Sequence, residues 1–172
     1  MCLNIRGFRF FEINFLAPES HIRTHAYHLW ENAGRPHDRF FWHEAEKECD
    51  YILGYKVVHV TNNMVTSPIY AHIWRDGWND SGRESTQLTK HEIEESSIFE
   101  GFHVYFDPEE AHQSCTKSFI KIMQVHCHKN DFIASGVYDN YDINSIRNSC
   151  KAAVFTKVFV PPHAIDSLLK CA

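Results

Sequence analysis

Ile22, Ala26, Leu29, Trp30 and Ala33 recur at i, i+4, i+7, i+8 and i+11, which places them on one face of a helix. Pro18 suits the first turn of that helix, where a missing N–H is no loss. Gly34 suits the left-handed residue that ends it, and Pro36 blocks continuation. Asp38 is placed to cap a second helix whose apolar face is Phe41, Trp42, Ala45, Cys49 and Ile52, with Gly54 at its end. The two helices form a hairpin, and Trp30 and Trp42 are expected to face each other across its turn. Residues 8–16, FRFFEINFL, mix aromatic and polar residues and predict an edge strand or an arm on the hairpin.

From Tyr55 the period changes. Tyr55–Val60, Ala71–Trp74, Phe102–Phe106, Phe119–Cys127, Phe132–Ser135 and Val154–Val160 are rich in β-branched and aromatic residues and predict strands. Short helices fit between them. Thr89 and Glu92 form a capping box. Asp107 and Pro108, followed by Glu109 and Glu110, open another helix with a cap, a first-turn proline and two first-turn acids. Asp142 is placed to cap a helix reaching Cys150, and Pro162 to Leu169 predicts a closing helix. The pattern predicts an α+β fold, with an N-terminal helical hairpin followed by a mixed or antiparallel sheet and short helices. The expected division is an arm and hairpin over 1–54 and an α+β domain over 55–172, packed as one unit.

Composition narrows the class. At 172 residues, 44% hydrophobic and 14% aromatic, the chain can bury a core. A net charge of -5, with no Lys/Arg run to track phosphates, argues against nucleic-acid binding. The six cysteines are scattered without a C-x-x-C, the start lacks a clean apolar signal core, and no apolar run reaches bilayer length. The expectation is a cytoplasmic protein with reduced thiols and no membrane contact.

Ile22-Arg23, Ala26-Tyr27-x-Leu29-Trp30, Gly34-Arg35-Pro36 and Trp42-x-x-Ala45-Glu46 together resemble the signature of a small uncharacterised bacterial family. That resemblance implies a helical hairpin of bacterial or phage origin and no particular activity. Residues 55–163 are similar to uncharacterised bacterial and phage domains through Tyr55-Lys56-Val57-Val58, Ser67-Pro68, Gly101-Phe102-His103-Val104-Tyr105 and Val154–Val158. The segment around Gly101 also distantly resembles ADP-ribosyltransferases. This likeness implies an NAD site with Tyr55 or His59 on the nicotinamide-binding strand and Tyr105 beneath the ring. That family uses a late catalytic glutamate, and from Tyr141 to Ala172 the acids are Asp142 and Asp166 alone. The resemblance therefore implies a non-catalytic relative.

Two constellations remain. Strand alternation puts His126 and His128 on one face, where they could share a zinc ion with Asp131 or His103 as third ligand. The competing reading is a solvent-facing pair at a strand end, and no metal or other cofactor is expected. Trp74, Arg75, Trp78 and Arg83 fall in a polar, glycine-containing segment from Trp74 to Leu88, and Trp and Arg are enriched in binding hot spots. No nucleophile-elbow sequence supports a hydrolase triad. The sequence therefore points to an accessory or regulatory protein that binds another protein. The rival is an enzyme, either metal-dependent through His126 and His128 or a divergent NAD-using transferase. The oligomeric state is open.

Overall fold

The computed structural model describes residues 12–36, 41–61, 63–68, 72–82, 101–113, 119–141 and 147–171. The hairpin comes first, as α1 (Glu19–Asn32) and α2 (Trp42–Glu48). Gly34 lies between them at φ +79°, as the stop signal requires. Trp30 does not face Trp42. Its indole Nε1 donates to the Pro36 carbonyl at 3.0 Å, and its ring meets Tyr27 and the Arg35 guanidinium. Trp42 packs instead with Ile22, Ala45, Cys49 and Tyr51. Of the segment 8–16, residues 8–11 lie outside the described residues, and residues 12–16 carry no regular element; Phe15 inserts edge-on against Phe132 and Phe155.

Gly54 ends no helix. Helix α2 stops at Glu48, and Gly54 lies inside β1 (Tyr51–Thr61). Ile52 continued the helical spacing by chance, while the alternation that matters begins at Tyr51. Ile52, Gly54, Lys56, Val58 and Val60 point one way, and Tyr51, Leu53, Tyr55, Val57 and His59 the other. A Cβ at Gly54 would lie 2.2 Å from Val104 Cγ1 and 3.1 Å from Cys127 Sγ, so the core closes directly over this glycine.

The remaining elements are β2 (Met64–Thr66), β3 (Gly77–Asp80), β4 (Phe102–Tyr105), α3 (Pro108–Gln113), β5 (Ile120–His128), a 3-10 turn (Lys129–Asp131), β6 (Phe132–Tyr141), β7 (Arg147–Phe155), β8 (Lys157–Val160) and α4 (Ala164–Lys170). The helix expected to end at Cys150 is replaced over its described part by β7. Residues 147–150 are weak strand formers, but pairing with β6 at every position overrides local preference. β3 occupies part of the segment read as a loop. The helix expected at Thr89 lies outside the described residues.

Every described strand pairing is antiparallel, in the order β3-β8-β5-β1-β4-β7-β6, with β2 beside β1. β7 and β8 are one strand interrupted at Thr156. β7 pairs with β4 and β8 with β5, on opposite sides of β1, so the path β1-β4-β7/β8-β5 returns to β1 as a small barrel. Val58, Val104, Met123, Val125, Phe155, Val158 and Val160 fill the interior. Ala164, Ile165, Leu168 and Leu169 of α4 pack against the same cluster. α3 contributes Ala111 to a second cluster outside the barrel, with Val57, Tyr105 and Val154. The hairpin covers the start of β1 through Tyr51 and Leu53. The structure is thus an α+β fold with an antiparallel sheet.

Candidate functional site

The outer face of β5, β8 and β3 gathers the side chains that sequence reading singled out separately. His126 and His128 alternate outward from β5 while Cys127 is buried, as expected. The register places Phe159 opposite His126 and Trp78 opposite Phe159. Tyr51 begins β1 on the same face. Its ring stacks on His126 with centroids 4.6 Å apart and planes 11° from parallel. Trp78 meets His128 at 5.0 Å and Phe159 at 5.5 Å. His21 of α1 borders the patch: its Nδ1 and the Tyr51 hydroxyl share a 2.7 Å hydrogen bond.

Trp78 is 55% exposed despite these contacts. Its position is fixed by Asn79, which is buried. The Asn79 carboxamide accepts from the Arg75 N–H and donates to the carbonyls of Arg75 and Gly77, closing a turn with Gly77 at φ +87°. That clamp turns a polar, glycine-containing stretch into a strand and explains why composition read it as a loop. Arg75 is exposed beside it, whereas Trp74 is 2% exposed and donates its Nε1–H to Ser67 Oγ at 3.0 Å. Trp74 therefore belongs to the core and offers no surface to a partner. Arg83 lies outside the described residues.

Burial lowers the His126 pKa to about 4, and the neighbouring His21 and His128 push in the same direction. Burial also raises the Tyr51 hydroxyl above its ordinary value. At the rim, Lys157 and Asp80 approach to 3.3 Å and Asp50 and His128 to 3.7 Å. The Gly82 N–H bonds Asp80 and holds its carboxyl below the usual range, with Lys157 adding to the effect.

Among the described residues, no three His, Cys, Asp or Glu side chains stand together as a metal site. Asp131 does not join His126 and His128; its carboxylate accepts from the Thr156 hydroxyl at 3.2 Å. Glu110 accepts from the Lys151 N–H at 2.8 Å, tying α3 to β7. Tyr55 and Tyr105 are direct partners across β1 and β4, but Tyr105 is buried in the cluster beneath α3. His59 lies edge-on to Phe119. A shallow, open groove borders α3, lined by Pro108, Glu109, His112 and Ile122, and none of Tyr55, His59 or Tyr105 lines it.

Sequence reading missed Tyr51, His21 and Phe159, which complete the patch. Alternation counted from Tyr51 would have put Tyr51 on the outer face; His21 and Phe159 join only through tertiary contacts. Cys49, Cys127, Cys150 and Cys171 form no disulfides, and among the described residues no helix is long and apolar enough to cross a membrane.

A family model described as "Protein of unknown function (DUF2934)" matches residues 18–50, which include α1 and α2. No curated protein and no solved structure matches the chain. The barrel lies outside the matched segment, and the likeness to ADP-ribosyltransferases finds no support in these comparisons.

Proposed function

We propose that the chain is an accessory protein that binds a partner protein through the face built by Trp78, His128, His126 and Phe159, with the buried Tyr51 stacked behind His126. The observation that carries this reading is Trp78: a large aromatic ring, more than half exposed, on a strand that the buried Asn79 holds in place. An exposed aromatic that is already ordered gives contact area at little entropic cost. Arg75, exposed at the entry to β3, can take a carboxylate of the partner through its planar fork. The rim carries both charge signs, which suits a protein surface better than a polyanion. Four described cysteines without disulfides suit a reducing compartment, and the expected setting is the cytoplasm of a bacterium or a phage-infected cell.

The test is affinity capture from the native host with the wild-type chain and with Trp78→Ala. The variant keeps its fold by circular dichroism and loses the captured partner by at least about 2 kcal/mol, the hot-spot threshold. A folded Trp78→Ala variant that captures the same partner undiminished would move the interface off this face.

A further inference from the structure

β3 stands at one end of the strand order, so only one of its edges is paired, with β8. A single bond shows which of its backbone groups face the open edge. The Ser81 N–H donates to the Thr156 carbonyl at 2.9 Å, and these two residues continue the β3–β8 register. Along an antiparallel pair, bonded positions alternate with unbonded ones. Asn79 and Gly77 therefore bond β8, and the N–H and C=O groups of Trp78 and Asp80 point away from it. β8 has the matching phase: Phe159, opposite Trp78, is the residue that pairs with His126 of β5 on the other side. Among the described residues nothing bonds the outward groups of Trp78 and Asp80.

Alternation also puts the side chains of Trp78 and Asp80 on the same outer face, where both are exposed. β6, at the other end of the strand order, differs, because residues 132–136 are buried. A short strand bearing a charge is a common way to blunt an edge. Blunting accounts for Asp80 but not for a large apolar ring held at the same edge by the Asn79 clamp.

We propose that the partner docks by adding a strand to the β3 edge, an inference that rests on the reading of Trp78 as a contact for a protein partner. An extended segment of the partner accepts from the N–H groups of Trp78 and Asp80 and donates to their carbonyls. These main-chain bonds give affinity, and alternate side chains give selectivity. On the outer face the segment carries an aromatic or β-branched residue beside Trp78 and, two residues along, a basic residue beside Asp80. Lys157 flanks Asp80 from β8 at 3.3 Å, so the partner's basic residue completes a row of alternating charge across the strands.

The experiment takes the partner segment photo-crosslinked to position 78 in host cells, makes it as a synthetic peptide, and titrates it against the full wild-type chain. The peptide is scanned with single backbone N-methyl groups, each of which removes one N–H. Affinity should fall about tenfold at two positions two residues apart, and less than about twofold at the position between them. On the chain, Asp80→Pro removes an outward N–H without touching a bond to β8, whereas Asp80→Ala keeps that N–H. The proline variant should bind the peptide about tenfold more weakly than the alanine variant, with the same circular dichroism. The N-methyl scan leaves this chain unaltered, so it decides the outcome even where the proline variant unfolds. Losses without a two-residue period, or no loss at any position, would overturn strand addition alone, as would equal binding by two folded Asp80 variants. No adduct from position 78 would overturn it together with the binding reading.

Discussion

Stacking on Tyr51 takes water from one side of the His126 ring, and His21 and His128 oppose a positive charge there. The ring therefore stays neutral in the folded protein down to about pH 4, whereas in the unfolded chain it protonates near 6.5. Because the unfolded state takes up the proton first, stability from this residue is complete above pH 6.5. It falls as pH drops towards 4 and is lost below that. The full shift corresponds to about 3 kcal/mol, and solvent screening of this half-buried ring reduces it to about 1–2 kcal/mol. His126→Phe preserves an aromatic partner for Tyr51 and removes the titration. Denaturant unfolding of both proteins at pH 7 and pH 4.5 should show the variant losing about 1–2 kcal/mol less on acidification. Equal losses would mean that His126 is solvated well enough to titrate normally.

Among the elements, α4 depends on a residue far away in sequence. Asp76, in the turn before β3, accepts from the N–H groups of His163 at 2.7 Å and Ile165 at 3.2 Å. These are free donors at the start of a helix that lacks a side-chain cap of its own. Asp76→Ala should cost about 1–2 kcal/mol and increase amide hydrogen exchange selectively in α4. Protection unchanged across Ala164–Lys170 would show that Ile165 and Leu168 hold the helix without the cap. Such links explain which elements could be read from sequence. α1, α3 and α4 carry local signals, namely apolar spacing, the Asp107-Pro108 start and the Pro162 boundary, and they form near the expected positions. β3 and the first half of β7 carry no such signal. Their residues become strands because Asn79 closes a turn and because β6 pairs with residues 147–150. The candidate site divides in the same way. Trp78, Arg75, His126 and His128 stood out by residue type, while Tyr51, His21 and Phe159 join them only through the sheet register and the packing of α1. Trp74 looked like Trp78 in sequence, but its Nε1 bond to Ser67 and its place beside Phe102 put it in the core.

For the molecule as a whole, the decisive position is Thr156, where the strand leaves β4 and crosses to β5. Thr156 is buried, and both its backbone N–H and its hydroxyl bond Asp131, at 2.8 Å to the carbonyl and 3.2 Å to the carboxylate. Its carbonyl accepts from Ser81 at 2.9 Å, tying the exit of β3 to the same point. Thr156→Val keeps the shape and removes the hydroxyl, leaving Asp131 short of a donor. The expected loss is about 1–2 kcal/mol in chemical unfolding, with Trp78 fluorescence moving in the same transition. An earlier, separate transition at Trp78 would show that β3 and β8 are not integral to the barrel.

The central claim concerns the outer face rather than the barrel that supports it. A photo-crosslinking amino acid placed at Trp78 tests it directly in native host cells, with the same group at Met64, exposed on β2, as the control site. The account predicts a covalent adduct to one partner protein from position 78 and none from position 64. The same adducts from both positions, or none from position 78, would contradict it.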